Sequence, residues 1–355
     1  MNRKAKTQSI ISIIFLSLVA LMALSFCIVL LLRNANLRKE EEAMQSELEA
    51  LNEEGYYTTS ETQILIDAAK NEAEETGKES ILELMQSKLE NGDSTISTIR
   101  SVFTDQLVVA DNGRYYFFPI TDEIEHHAFG SEDFAINDDG FLEYTGEDTS
   151  LQFYKGIDVS RFQGEIDWEQ VADYGIDFAI IRVGLRGSTE GKLLEDDTFE
   201  YNIENAIANG INVGVYFYSQ AVSEEEAQEE AQFVLDLIEP YDITYPVVLD
   251  IESADSTSAR TNELNQSQYT AIAQTFCSTV EGAGYEAVIY GNVKSFTLLL
   301  DAKQLSDYDT WIAYYGTPLY YPYKFGMWQY SSTGSIPGID GDVDLNISII
   351  DYANN

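Results

Sequence analysis

Basic side chains are scarce in this sequence. Twenty Lys and Arg stand against 61 Asp and Glu over 355 residues, a formal net charge of −41. The excess is −17 up to residue 150 and −24 beyond it, so it is not an acidic tail. A chain of this sign cannot release counterions from phosphate, which excludes most nucleic-acid binders. Cysteine is nearly absent. Cys27 lies in an apolar run and Cys277 in a helical pattern, so no disulfide framework is expected and any core must support itself. Cys277 reads as a small buried hydrophobe. The two histidines, His126 and His127, are adjacent and have no further ligand at a recognised spacing, so they read as a solvated loop. Neither a metal nor a cofactor is expected. A phosphate-cradling loop is also missing: Gly282-Ala283-Gly284 closes a helical pattern before a strand, the reverse of the required order. Apolar residues, at 45%, and aromatics, at 12%, are abundant, which excludes a disordered chain.

Ile10–Leu32 is an uncharged run of 23 residues, interrupted only by Ser12, Ser17 and Ser25. About 20 apolar residues span a bilayer as a helix. A cleaved signal peptide would have a shorter apolar stretch ending in small residues. Here Ile-Val-Leu-Leu-Leu follows Cys27, and Phe26 sits where a lipoprotein cleavage site needs a small residue. The run is therefore expected to be an uncleaved anchor in the cell membrane, with residues 1–32 forming the cytoplasmic tip and span. Arg3, Lys4 and Lys6 before it are nearly balanced by Arg33, Arg38 and Lys39 after it, so charge alone does not orient it.

Residues 33–93 read as an acidic helical stalk. Leu37, Met44, Leu48 and Leu51 have the spacing of a coiled-coil seam through which stalks would self-associate weakly, but two heptads favour a solvated stalk. A second helix over 61–90 ends at Asn91-Gly92-Asp93. Residues 94–150 read as a small β-rich segment: Thr95–Ile99 alternates, Gln106–Ala110 is strand-like, and Asp111-Asn112-Gly113 and Asn137-Asp138-Asp139-Gly140 are turn signals.

From 151 to 355 strands alternate with helices. Eight strands are expected: 153–158, 178–183, 213–218, 247–252, 287–290, 311–314, 325–330 and 343–345. Five helices are expected between the first six, over 168–174, 198–209, 224–238, 268–283 and 295–305. Ser223 and Glu226 form a capping-box pattern. The alternation implies an α/β fold of parallel strands. Eight strands favour a TIM-like closed barrel over an open doubly wound sheet.

Such barrels carry function at the C-terminal ends of their strands. The strand Pro246–Glu252 ends in Asp250 and Glu252, which share a face about 6.5–7 Å apart. Two carboxylates in a partly dry mouth repel, so one keeps its proton to a higher pH, as a general acid requires. Barrel closure would bring Asp158 and Asp344, on the first and last strands, to the same mouth. Chance is the competing explanation of Asp-x-Glu in so acidic a chain. The alternating Asp340, Asp342 and Asp344 would suit a hard cation, but a solvated loop explains the first two more simply.

The run Gly156-Ile157-Asp158-Val159-Ser160-Arg161-Phe162-Gln163-Gly164-Glu165-Ile166-Asp167-Trp168 resembles the opening of family 25 glycoside hydrolases, the Chalaropsis-type N-acetylmuramidase lysozymes. The resemblance continues in order through Phe178–Gly184, Gly214-Val215-Tyr216, Pro246–Glu252, Trp311–Tyr315, Met327–Ser331 and Val343–Asn346, over about residues 154–351. It implies a flattened barrel of eight strands and five helices. It implies hydrolysis of the β-1,4 bond between N-acetylmuramic acid and N-acetylglucosamine in peptidoglycan. Glu252 would be the catalytic acid, Asp250 its partner carboxylate, and Asp158 and Asp344 would complete the mouth. Tyr216, Tyr218, Trp311, Tyr314, Trp328 and Tyr330, at or near strand ends, are expected to bind sugar, with Tyr216 and Trp328 in the groove. One departure is visible: many relatives carry His after the Tyr of the third strand, where Phe217 stands here. The strand spacing leaves retaining, inverting and substrate-assisted chemistry open. A peptidoglycan substrate would place everything after residue 33 outside the cell. Two other functions compete: a non-catalytic wall-binding module, and a membrane scaffold with 33–150 as its partner-binding part.

Overall fold

The computed structural model describes residues 59–354 apart from 255, and before them only positions 32, 33, 35, 38 and 39. The expected anchor and most of the expected stalk lie outside the described residues. Among the described residues no helix is long and apolar enough to cross a membrane. The chain divides into two units, 1–91 and 92–355. The described part of the first is essentially one helix, α1 (Thr59–Glu90), on which Ile64, Ile81, Leu82 and Leu89 are exposed.

The second unit opens with α2 (Thr95–Val102), capped by Ser94 Oγ accepting from Ser97 N. This corrects the strand expected from the Thr95–Ile99 alternation. The cap and the burial of Thr98 against the following hairpin decide for helix. Two hairpins follow, β1 (Gln106–Asp111) with β2 (Arg114–Pro119) and β3 (Phe134–Ile136) with β4 (Leu142–Tyr144). The first turns through Asn112 and Gly113, both at positive φ, as its Asn-Gly pair dictates.

The barrel is built from β5 (Tyr154–Val159), β6 (Phe178–Arg186), β8 (Asn212–Tyr218), β9 (Val247–Asp250), β10 (Ala287–Asn292), β11 (Asp309–Ala313), β12 (Met327–Gly334) and β13 (Val343–Ser348). A short β7 (Leu193–Glu195) hangs antiparallel on β6. Pairing of β5 with both β6 and β13 closes the ring. The ring is not all parallel, as the alternation implied. β13 runs antiparallel to both neighbours, because the connection 335–342 is too short to carry a helix back along the barrel.

Four helices flank the strands: α3 (Trp168–Asp173), α4 (Phe199–Ala208), α5 (Glu224–Ile238) and α6 (Gln266–Gly282). The fifth, expected over 295–305, reduces to one π turn, Ser295–Leu299. Its backbone is taken by side chains: Thr297 Oγ1 donates to Val293 O, and Thr270 Oγ1 accepts from Asp301 N. The capping box on α5 is also half of what the pattern promised. Ser223 Oγ accepts from Glu226 N, but the Glu226 carboxylate accepts from Val222 N.

Strand alternation separates two apolar layers. Phe178, Ile180, Val248, Val288, Trp311 and Met327 point into the barrel and fill it. Their neighbours Ala179, Ile181, Val247, Leu249, Ile289, Ile312 and Trp328 point out under the helices and the 94–150 segment. Gly156 belongs to the inner row. A Cβ there would collide with the Phe178 ring, so only glycine lets β5 close on β6.

The 94–150 segment lies on the barrel through the loop after β11. Val108 N donates to Tyr320 Oη at 2.7 Å, Thr121 N to Tyr323 Oη at 3.2 Å, and Lys324 N to Glu125 O at 2.8 Å. His127 Nε2 pairs with Tyr321 O at 2.7 Å while its Nδ1 accepts from Phe129 N. His127 is thus half-buried and holds the segment in place, which corrects the solvated-loop expectation for it. Phe134 meets Trp328 edge to face, with ring centres 5.4 Å apart.

Candidate active site

The inward rows that fill the barrel end in polar groups. Above Ile180 stands Arg182, above Val248 Asp250, above Val288 Tyr290 and above Met327 Gln329. Asp158 is at the same level of β5 and pairs in register with Asp344 of β13. Because β13 runs backwards, Asp344 sits near the start of its strand yet reaches the face where the others end. The four expected acids, Asp158, Asp250, Glu252 and Asp344, line one hollow of about 140 Å³ with Tyr216, Tyr290, Trp311, Tyr315 and Gln329.

Asp158 is buried and well partnered. Its Oδ2 accepts from Gln329 Nε2 and Asn346 Nδ2, each at 2.8 Å, and its carboxyl shares a hydrogen bond with Asp344. Burial raises Asp158 to about 6 in spite of these donors. Burial, then the Asp158 charge, raises Asp344 to about 8. At neutral pH the pair holds a proton on Asp344, which donates it to Asp158.

Asp250 has no partner for its buried Oδ1. Burial pushes its carboxyl well above the usual range, and the charges of Glu252 and Asp158 push it further, against the opposing pull of Arg182. Glu252 is half-buried at the mouth and its Oε1 accepts from Asn292 Nδ2 at 3.3 Å. The two carboxyls repel, so the buried Asp250 keeps its proton to a higher pH than an exposed carboxylate would.

Gln329 organises the hollow. Its Oε1 accepts from Tyr290 Oη at 2.8 Å and Tyr315 Oη at 3.0 Å while its Nε2 holds Asp158. Burial keeps both phenols protonated, with Tyr315 pushed up to about 12. Trp311 Nε1 donates to Asn346 Oδ1 at 2.9 Å, and Asn346 passes the contact on to Asp158.

Of the expected sugar-binding aromatics, Tyr216 and Trp311 line the hollow. Tyr314 lines a neighbouring one and Tyr218 is half-buried outside both. Trp328 and Tyr330 are corrected: both are buried in the outer layer. β12 turns its even residues outward there, and Phe134, from outside the barrel, covers Trp328. Tyr290, Tyr315, Gln329, Asn292 and Asn346 were not anticipated. Gln329 and Asn346 stood in the matching motifs, and parity with Met327 singles out Gln329.

A pH test follows from the Asp158–Asp344 pair. Unfolded, both carboxyls titrate near 4. The folded chain therefore binds extra protons between about pH 4 and 8, so this part of its stability is complete below pH 4 and is lost as pH rises through about 8. Asp344→Asn has no proton to lose there. Its melting temperature relative to wild type should rise by roughly 4 °C or more between pH 5 and 8.5. Parallel melting curves would contradict the shared proton.

The sequence pattern of glycosyl hydrolases family 25 matches residues 157–339, just over half of the chain. The chain belongs to this family. It is a glycoside hydrolase. It is 33% identical over 202 residues to the protein YegX of Escherichia coli (strain K12), covering 54% of this chain and 68% of that one. It is 30% identical over 202 residues to lysozyme M1 of Streptomyces globisporus, covering 54% and 66%. Among solved structures it resembles the modular autolysin LytC of Streptococcus pneumoniae, with 26% identity, a TM-score of 0.51, and coverage of 69% of this chain and 58% of that one. Residues 94–150 lie outside the family match.

Proposed function

We propose that the chain is a muramidase that hydrolyses the β-1,4 bond between N-acetylmuramic acid and N-acetylglucosamine in peptidoglycan, tethered to the outer side of the cell membrane. The observation that carries the reaction is the convergence of four carboxyls on one small hollow in a family 25 chain, one pair of them retaining a proton. The lysozyme names of relatives in Streptomyces and Clostridium support the substrate. Of the Asp250–Glu252 pair, Glu252 is the more open, so a glycosidic oxygen in the hollow reaches it first. Glu252 hands that oxygen the proton it shares with Asp250 as the bond to the sugar carbon breaks. Water then adds to that carbon and returns a proton to the site. Asp158 and Asp344 hold polar substituents of the ring beside the cation that develops there.

The tether rests on the uncharged run Ile10–Leu32 and the acidic stretch after it. Both readings are tested on expressing cells. The full chain should partition with membranes, be digested by external protease, and release reducing ends from purified peptidoglycan. Recovery of the chain in culture fluid with an N-terminus beyond residue 32 would overturn the tether. Absence of new reducing ends would overturn the reaction.

A further inference from the structure

A second hollow, of about 220 Å³, adjoins the acids, and four of its nine lining residues come from outside the family match. Ile96 and Arg100 of α2 form one wall. Asn292, Lys294, Ala313 and Tyr314 form the other. Its position follows from the register of β10 and β11. Tyr290 pairs with Trp311, and both line the acidic hollow. Asn292 pairs with Ala313, and both line this one. The second hollow is therefore one rung, about 7 Å, further out along the same strands. One contact joins them, Asn292 Nδ2 to Glu252 at 3.3 Å, and beside it Lys294 Nζ reaches Ser253 Oγ at 3.5 Å.

The charge here is the reverse of the chain's. The whole sequence carries only 20 basic residues, and two of them face this hollow. Lys294 is held by Asp111 of β1 at 2.6 Å. Arg100 is placed by neutral groups. Its Nε donates to Val108 O at 3.0 Å and its guanidinium stacks 3.9 Å from the Tyr320 ring centre, with no carboxylate paired to it among the described residues. A fixed guanidinium without a carboxylate partner, beside an acidic mouth, recognises a carboxylate.

We propose that the 94–150 segment completes an anion-binding subsite, centred on Arg100 with Lys294, that takes a carboxylate carried by the glycan next to the cleaved bond. This rests on the muramidase reading. The muramyl substituent supplies such a carboxylate from its peptide stem, or from its lactyl group where the stem has been removed.

The test measures binding of the full chain, in detergent and carrying Glu252→Gln to prevent cleavage, to insoluble peptidoglycan by co-sedimentation. Three forms are used: intact, stripped of peptide stems, and intact with its carboxylates amidated. Adding Arg100→Gln should weaken binding roughly tenfold on the intact or the stripped form, whichever supplies the carboxylate, and leave the amidated form unchanged. Arg100→Lys, which keeps the charge without the planar fork, should restore part of the loss. A merely structural role for Arg100 would weaken all three forms alike. That result, or no loss on any form, overturns the subsite. Wild-type hydrolysis of the same materials separates the two readings: cleavage without any Arg100 effect removes the subsite alone, while neither binding nor cleavage of any form removes both.

Discussion

Glu252→Gln should lower the rate of peptidoglycan hydrolysis by about 10²–10⁴-fold, the share of a positioned general acid, with the melting temperature unchanged or raised. Gln keeps the length of the side chain and can still accept from Asn292 Nδ2, so the mouth retains its shape. It also removes the negative charge that helps to drive the Asp250 carboxyl upward, which relieves repulsion in the folded chain. A catalytic group costs stability, and its neutralisation often returns some. Activity near wild type would show that the proton comes from elsewhere. Asp250→Asn is the companion variant. It should also be impaired, because it deprives the pair of its buried member.

Arg186→Met should cost about 3–5 kcal/mol, because it leaves a buried carboxylate without its partner. In a unit of this size that is roughly 10 °C in melting temperature. Arg186 is 3% exposed and Glu230 is fully buried, with Nε and Oε1 2.7 Å apart. Burial raises Glu230 to about 7 even with Arg186 beside it, so desolvation outweighs the pairing. Without Arg186 the carboxyl would be raised further. The loss should therefore be greater at pH 8, where the folded wild-type carboxyl has ionised beside Arg186 and the variant's still holds its proton, than at pH 5, where both are protonated. Arg186→Met combined with Glu230→Met should recover most of it, since an apolar pair of similar volume has no charge to desolvate. The network also reaches the site. Glu230 Oε2 accepts from Ser219 Oγ at 2.6 Å, and Ser219 N donates to Asp250 O at 2.9 Å. The single variant should thus lower activity at temperatures where it is still folded. Equal melting of the single and double variants would contradict the ion-pair account.

Much of this arrangement was legible in the chain. The eight barrel strands stand where their apolar runs predicted, because a strand buried on both faces reads as a short unbroken run. The four acids could be gathered from sequence because they occupy strand ends that closure brings together. What failed did so for local reasons. The direction of β13 depended on the length of one connection. The Thr95–Ile99 alternation fits either element, and a serine cap decided it. Trp328 looked like a groove residue because aromatic type was weighed above parity. Met327, Trp328 and Gln329 alternate, so only one face of β12 can serve the mouth, and Phe134, almost 200 positions earlier, covers the other. The tyrosines after β11 carried no periodic signal, yet they receive the 94–150 segment through hydrogen bonds that no spacing rule anticipates.

Mass analysis of the fragments released from purified peptidoglycan, after borohydride reduction, identifies the bond that is cut. Wild type should release soluble muropeptides whose reduced end is N-acetylmuramitol, and Glu252→Gln should not. Fragments ending in reduced N-acetylglucosamine, or none from the wild-type chain, would contradict the muramidase reading.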